Sequence, residues 1–374
     1  VPNLRFPEFQ GEWKRTIFKN VITLQRGSSP RPIIEYVTTS DDGVNWIKIG
    51  DMPHFGRIVT STEEKITKEG AKKSRQVNKG DLILSNSMSY GLPYIMGIDG
   101  YIHDGWFVLK NFENTFDKDY LCNLLISSAI QNQYKRLAAG GVVQNISSDL
   151  VNSVSVSIPT MMEQKKISSL LNLIDERIAT QNKIIEDLKK LKSAISHILF
   201  SSKGAIHLSE IANVVMGQSP SSNAYNDQGL GMPLVQGNLD ISNGKTTPRL
   251  YTAEFNQTTE KGNIILTVRA PVGEVAKATQ KVCLGRGVCA IIPHEENMSD
   301  FIYQYLTFYK FMWRRYEQGS TFTSINGSDV RNIFCPKVRN VSILTLLDIK
   351  INIEERVVKQ YQSQKQYMLY QMFI

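Results

Sequence analysis

Five short signals occur twice, in the same order, along this 374-residue chain. Such repetition limits the fold more than any composition can. Trp13 to Gly27-Ser-Ser-Pro30 is a short amphipathic stretch running into Gly-x-Ser-Pro, and His207 to Gly217-Gln-Ser-Pro220 repeats it. Trp46-Ile-Lys-Ile-Gly50 is echoed by Pro233-Leu-Val-Gln-Gly237, and Asn78-Lys-Gly-Asp-Leu-Ile-Leu-Ser85 by Glu260-Lys-Gly-Asn-Ile-Ile-Leu-Thr267. Gly140 to Asp149 parallels Gly319 to Asp329, and each leads to a proline, Pro159 or Pro336. The offset falls from 217 − 27 = 190 to 336 − 159 = 177. Ordered matches of this kind identify a tandem duplication whose second copy is slightly shorter.

Within each copy, Lys-Gly-Asp/Asn followed by four apolar or small residues reads as a turn into a buried strand. Residues 118–136 and 299–315 carry helical spacing. Strands and helices therefore alternate irregularly, and the expected class is α+β. After each proline the pattern changes. From Glu163 an apolar stripe at spacings of four and three comprises Ile167, Leu171, Ile174, Ile178, Ile185, Leu188, Ile195 and Leu199, with only Gln181 and Lys192 intruding. So narrow a stripe needs another helix to cover it. The candidate is the segment from about Ile343 onward, whose poorer seam is read as Leu346, Ile353, Val357, Tyr367 and Met368. The expected organisation is a globule at 1–158, a helix at 159–204, a second globule at 205–335 and a second helix at 336–374. The helices would pair as an antiparallel coiled coil holding the globules apart, a ruler about 50 Å long.

Composition excludes several classes. A hydrophobic fraction of 41% and a charged fraction of 21% are those of an ordinary globular chain. No apolar run nears the ~20 residues of a membrane span, and the opening residues lack a secretory apolar stretch. Cys122, Cys283, Cys289 and Cys335 are scattered, without Cys-x-x-Cys or a histidine at ligand spacing. They read as buried thiols of a reducing, cytoplasmic protein. Lys plus Arg exceed Asp plus Glu by 43 − 35 = 8, a modest excess that points towards phosphates as partners.

Polar loops are where the duplicated globules would make contact. In the first copy these contribute Arg26, Ser28 and Arg31, then Ser85, Asn86, Ser87 and Tyr90, then Gln144 and Asn145. In the second they contribute Gln218 and Ser219, Thr267 and Arg269, and Thr321 and Thr323. Amides suit adenine edges and guanidinium groups suit guanine, while hydroxyls and lysines suit phosphates. Lys65 to Lys79 could track a backbone, although Glu63, Glu64 and Glu69 interleave them as on a solvated face. The same serines and glycines also serve as ordinary turn residues.

Catalytic signatures are absent: no Gly-x-Gly-x-x-Gly, no Walker-type loop and no nucleophile elbow. The Asn/Asp-Pro-Pro-Tyr/Phe tetrapeptide of adenine aminomethyltransferases is missing as well. Asp51 with Glu63-Glu-Lys65 is a short nuclease-like pattern with no match in the second copy. Besides a DNA reader, two readings stay open: a two-headed protein-binding adaptor, and a metal-dependent nuclease using those residues.

Pro159-Thr-Met-Met-Glu163-Gln164-Lys-Lys-Ile167, Leu173-Ile-Asp-Glu-Arg-Ile178, the paired Gly-x-Ser-Pro openings and the segment Pro2 to Trp13 together resemble the specificity subunit of type I restriction–modification systems. The resemblance spans essentially the whole chain. It departs after Pro336, where Lys337-Val-Arg-Asn340 replaces Glu-Gln. It implies a non-catalytic chain with two target-recognition domains, each reading half of a bipartite, asymmetric DNA site. It further implies helices that fix the spacer and dock two modification subunits. Those partners would hold S-adenosylmethionine and methylate adenine N6, and restriction subunits would bring ATP and Mg²⁺. No cofactor or metal is expected in this chain.

Overall fold

Leu82-Ile-Leu-Ser85 is buried at all four positions, as is Ile264-Ile-Leu-Thr267. A strand covered on both faces needs such an unbroken apolar run, because successive side chains point in opposite directions. The computed structural model describes residues 2–53, 56–86, 91–138, 146–201, 206–316, 324–337 and 340–374. The chain divides into two units: residues 1–183 with 355–374, and residues 184–354.

In the first unit one five-stranded sheet has the order Val37–Thr38, Glu64–Ile66, Val44–Ile47, Gly100–Ile102, Arg75–Val77. The other runs Thr23–Arg26, Trp106–Lys110, Leu82–Ser85, Pro93–Met96, Ile58–Val59. Leu82 and Leu84 face the helical side, sharing a core with Phe107, Tyr120, Leu121 and Leu171. Ile83 points the other way, into a core with Ile47, Val77, Ile102 and Trp106. The result is helices on sheet on sheet. A two-stranded ribbon pairs Lys14–Ile17 with Ser155–Ile158.

The second unit repeats this strand order. Tyr225–Asn226, Leu250–Thr252, Met232–Val235, Val282–Leu284 and Thr258–Thr259 form one sheet. Ala212–Met216, Val288–Pro293, Ile264–Thr267, Val275–Lys277, Lys245–Thr246 and Ile241–Ser242 form the other. In each unit one parallel pairing in the first sheet joins corresponding strands, Val44–Ile47 to Gly100–Ile102 and Met232–Val235 to Val282–Leu284, and one in the second joins Ile58–Val59 to Pro93–Met96 and Lys245–Thr246 to Val275–Lys277. Ile102 sits opposite Ile47, and Leu284 opposite Val235. The duplicated strands therefore align one residue away from the glycine match read in the sequence, so that Lys48 corresponds to Gln236.

The stretch read as one helix over 118–136 is two, Lys118–Ile126 and Ser128–Ala138. Between them Ser127 is extended, and its hydroxyl donates to the Leu124 carbonyl at 2.6 Å. The counterpart is Ser299–Tyr309, which tightens into a 3₁₀ turn over Lys310–Tyr316.

The central helix, Met161–Phe200, contributes to both units, as does the distal helix, Ser342–Gln371. Glu163 and Gln164 open the central helix and are both 1% exposed. Glu163 accepts from the Arg5 guanidinium at 2.7 and 2.9 Å and from the Trp13 indole at 3.3 Å. Gln164 accepts from the Asp117 amide at 2.8 Å and donates to the Thr115 and Pro159 carbonyls. The Glu-Gln pair thus clamps the helix start to the globule.

Along the central helix Ile167, Leu171, Ile174 and Ile185 are buried, and Ile178, Leu188, Ile195 and Leu199 are half-buried. In the first unit Ile167 and Leu171 share a core with Leu369 and Met372, and further along Asp175 accepts from Lys365 at 2.5 Å. In the second unit Phe200 shares a core with Leu344, while Lys192 donates to Asp348 at 2.5 Å. Within each unit the two helix segments therefore run antiparallel. The distal seam differs from its sequence reading. Leu344, Leu347, Ile351, Val358 and Leu369 are buried, whereas Leu346 and Tyr367 are 60% exposed, Ile353 is 39% exposed and Val357 is only half-buried. The start of this helix, Ile343-Leu-Thr-Leu-Leu347, is apolar in two phases. The true phase is interrupted by ion-pairing Glu354 and Lys365, so counting apolar residues favours the wrong one.

Candidate nucleic-acid interface

Both units build a concavity at the same place. The loop after Gly27 lies against the turn that joins Gly100–Ile102 of one sheet to Trp106–Lys110 of the other. Gly27 donates to the Trp106 carbonyl at 2.8 Å, and Ser28 to the Ile102 carbonyl at 3.3 Å. In the second unit Gly217 donates to Val288 and Gln218 to Leu284, both at 2.9 Å. A Cβ at Gly27 would lie 2.0 Å from the His103 carbonyl oxygen, and one at Gly217 would lie 2.1 Å from that of Gly285. Only glycine permits so close an approach.

The first concavity, about 1010 Å³, has apolar walls from Ile33, Trp46 and Ile49. Lys48, His103 and Asp104 line it too. Asp104 accepts from the Ser29 hydroxyl at 2.9 Å and from Arg31 at 3.2 Å, and its carbonyl accepts from Arg26 at 3.4 Å. Burial alone would push the Asp104 carboxyl up. The Ser29 hydroxyl, its own backbone amide and the neighbouring His103 and Arg31 outweigh burial and hold it below the usual range. Burial likewise lowers His103, against the pull of Asp104, so its ring is held towards the neutral form. Arg31 keeps 81% of its side chain exposed.

The second concavity, about 370 Å³, is polar, with Arg249, Arg269 and Arg286 on its walls. The lone acid there, Asp240, is 3% exposed and occupied: it accepts from the Gln236 amide at 2.9 Å and from Arg249 at 3.0 Å. Ser219 accepts from the Arg286 amide at 3.0 Å. Neither Arg269 nor Arg286 forms an ion pair among the described residues.

Of the expected contacts, Arg31 lines the first concavity and Ser219 and Arg269 the second, while Arg26, Ser28 and Gln218 lie beside them on the strand ends and loops that pack on the turns. Three expected contacts turn inward instead. Ser85 and Thr267 are fully buried. The Ser85 hydroxyl accepts from the Leu92 amide, and that of Thr267 bridges the Pro271 carbonyl and the Glu274 amide. Asn86 is 5% exposed and donates to the Asp104 carbonyl at 2.9 Å. These are strand-end caps that shape the loops. Ser87, Tyr90, Gln144, Asn145, Thr321 and Thr323 lie outside the described residues. Sequence reasoning missed Lys48, His103, Asp104, Arg249 and Arg286. The usable signal was Gly105 and Gly287, each just before the strand that pairs with the Gly27 or Gly217 loop.

Of the basic run, Lys68 pairs with Asp42 at 3.6 Å, Lys73 lies over the Tyr36 ring, and Arg75 donates to the Arg26 carbonyl. Asp51 is a backbone cap: its carboxylate accepts from the Lys48 amide at 2.7 Å and the Glu63 amide at 3.0 Å. Asp240, which caps Gln236 in the same way, is its counterpart in the second copy. Both carboxylates hold a loop.

Comparison with known proteins places this geometry. The family model for the type I restriction modification DNA specificity domain matches twice, over residues 11–190 and 204–360. The MjaX specificity subunit of Methanocaldococcus jannaschii, named for a type I restriction enzyme, is 29% identical over 334 residues, 82% of this chain and 76% of that one. The MjaVIII specificity subunit of the same organism is 26% identical over 207 residues, 52% of this chain and 47% of that one. Among solved structures, the S subunit of a type I restriction–modification system from M. genitalium shares the fold, with a TM-score of 0.63 at 18% identity and coverage of 100% and 99%. A chain from a structural study of type I restriction–modification assembly does so with a TM-score of 0.63 at 21% identity, covering 97% of both. No helix among the described residues is long and apolar enough to cross a membrane. Two matched domains, two like concavities and a helix pair in each unit lead to one conclusion: the chain belongs to the DNA specificity subunits of type I restriction–modification systems.

Proposed function

We propose that each unit reads one half of a bipartite, asymmetric duplex site, and that the two long helices set the unread spacer between the halves. The observation that carries this reading is the pair of concavities. They stand at the same turn of the same strand order, yet are lined by different side chains, as two readers of unlike half-sites would be. Family membership favours DNA recognition over the adaptor and nuclease readings.

The helices also dock two modification subunits. In the second unit Ile184, Leu191 and Ile198, seven residues apart, are 39%, 49% and 79% exposed, and Leu346 and Ile353 add to the uncovered apolar surface. Apolar stripes of that kind suit a protein partner. Those partners bind S-adenosylmethionine and methylate adenine N6 in the cytoplasm, and restriction subunits contribute ATP- and Mg²⁺-dependent cleavage. The test is to exchange residues 1–158 for the corresponding domain of another such subunit and to map methylated adenines by single-molecule sequencing. One half-site is expected to change while the other half and the spacer stay. A change in both halves, or in neither, would sink the two-reader assignment.

A further inference from the structure

The turn from Gly100–Ile102 to Trp106–Lys110 and that from Val282–Leu284 to Val288–Pro293 are built alike, hydrogen bond for hydrogen bond, except at the tip. In the first unit Trp106 donates to the His103 carbonyl, Asn86 to the Gly105 carbonyl, and Asp104 to the Ser29 hydroxyl, at 3.3, 2.9 and 3.3 Å. In the second, Val288 donates to Gly285, Val268 to Gly287, and Arg286 to the Ser219 hydroxyl, at 3.1, 2.9 and 3.0 Å. Asp104 and Arg286 therefore occupy one position, with opposite charge.

The Arg286 backbone is fixed from every side. Gly285 donates to the Val235 carbonyl at 2.8 Å, and a Cβ on Gly287 would lie 2.0 Å from the Gln236 carbonyl oxygen. Its guanidinium is exposed and has no hydrogen bond or ion pair among the described residues. The cations around this concavity are all arginines, and its one acid is buried and satisfied by Arg249. A planar fork on a turn tied down by backbone hydrogen bonds favours bidentate donation to a fixed pair of acceptors over loose attraction to a phosphate. In the major groove that pair is guanine N7 and O6. Asp104, an acceptor already held by Ser29 and Arg31, offers no donor to that edge.

Resting on the two-reader reading, we infer that this turn tip is a specificity-determining position. Arg286 selects a guanine in the half-site read by the second unit, whereas Asp104 supplies no donor for one at the equivalent place in the first unit.

The test uses the full chain, co-purified with its modification subunits, and selection from a randomised duplex library. Arg286→Ala should lose the preference for guanine at one position of one half-site by about 5- to 150-fold, with the other half unchanged. Arg286→Lys, which keeps the charge but not the fork, should lose most of that preference while leaving the salt dependence as in the wild type. Unchanged preference at every position in Arg286→Ala would overturn the assignment, as would uniform weakening across all sequences, the mark of a phosphate contact. A wild-type complex with no bipartite preference would instead bring down the two-reader reading, and this inference with it.

Discussion

Gly217→Ala puts the shared loop architecture to its sharpest test. The new methyl would stand 2.1 Å from the Gly285 carbonyl oxygen and 2.7 Å from that of Val288, where ordinary contact begins at 3.4 Å. Both obstacles are backbone and cannot rotate away. Relief requires the 217–220 loop to lift by more than an ångström, which loosens the Gly217–Val288 and Gln218–Leu284 hydrogen bonds. Overpacking costs about 1–3 kcal/mol, and each weakened hydrogen bond about 0.5–1.5 kcal/mol. A loss of about 2–6 kcal/mol follows, confined to the second unit. A chain of two units need not unfold in one step. The suitable assay is therefore amide hydrogen exchange read on peptides covering 264–293 and, as internal reference, 82–110. Protection should fall in the first set only. Binding should lose discrimination in one half-site as Ser219 and Arg286 separate. Gly50→Ala, with nothing within 4 Å of its added Cβ, is the control and should lose nothing. Exchange protection within about 0.5 kcal/mol of wild type in Gly217→Ala would refute the close-approach argument for both glycines.

Leu171→Ala empties a fully buried site where the central helix meets the first unit's core, and should cost about 2–5 kcal/mol, seen as faster exchange in that unit alone. All four cysteines are buried. Burial pushes Cys122 up to about 11 and Cys289 and Cys335 up to about 12, so thiol reagents at pH 8 should label the chain only after denaturant is added. Burial, with Asp348 nearby, also pushes Tyr303 up to about 12. An unfolded tyrosine ionises near 10, so between about 10 and 12 the folded chain holds a proton that the unfolded chain has lost. Its contribution to stability, present below pH 10, should decay across that window. Thermal unfolding at stepped pH should show a shallower decline in Tyr303→Phe.

Legibility of the sequence followed the number of constraints on each residue. The central helix seam could be read because a covered stripe of eight apolar residues leaves one phase open. The distal seam could not, because Leu346 and Leu347 satisfy two phases and the true one carries Glu354 and Lys365. The duplication exposed the strand order, but only through residues whose type is forced, such as Gly27, Gly217 and the run 82–85. Polar residues at strand ends were ambiguous. Ser85, Asn86 and Thr267 have the chemistry of contacts and the geometry of caps, and only burial separates the two. Asp104 and Arg286 were invisible for the opposite reason. The turn constrains their backbone and leaves the side chain free, so no repeated letter marks them.

The first unit's core includes Leu369, Met372 and Phe373, and the Phe373 ring lies 5.2 Å from that of Tyr120. This has a consequence in time. On a ribosome adding ~5–20 residues per second, residues 1–183 emerge about 10–40 s before the segment that completes their core. The second unit, continuous from 184 to 354, is fully synthesised before that closure. The part made first is thus finished last. In the interval the apolar wall around Tyr120 and Leu171 is open, and that interval is when the nascent chain most needs a chaperone or an early-bound partner.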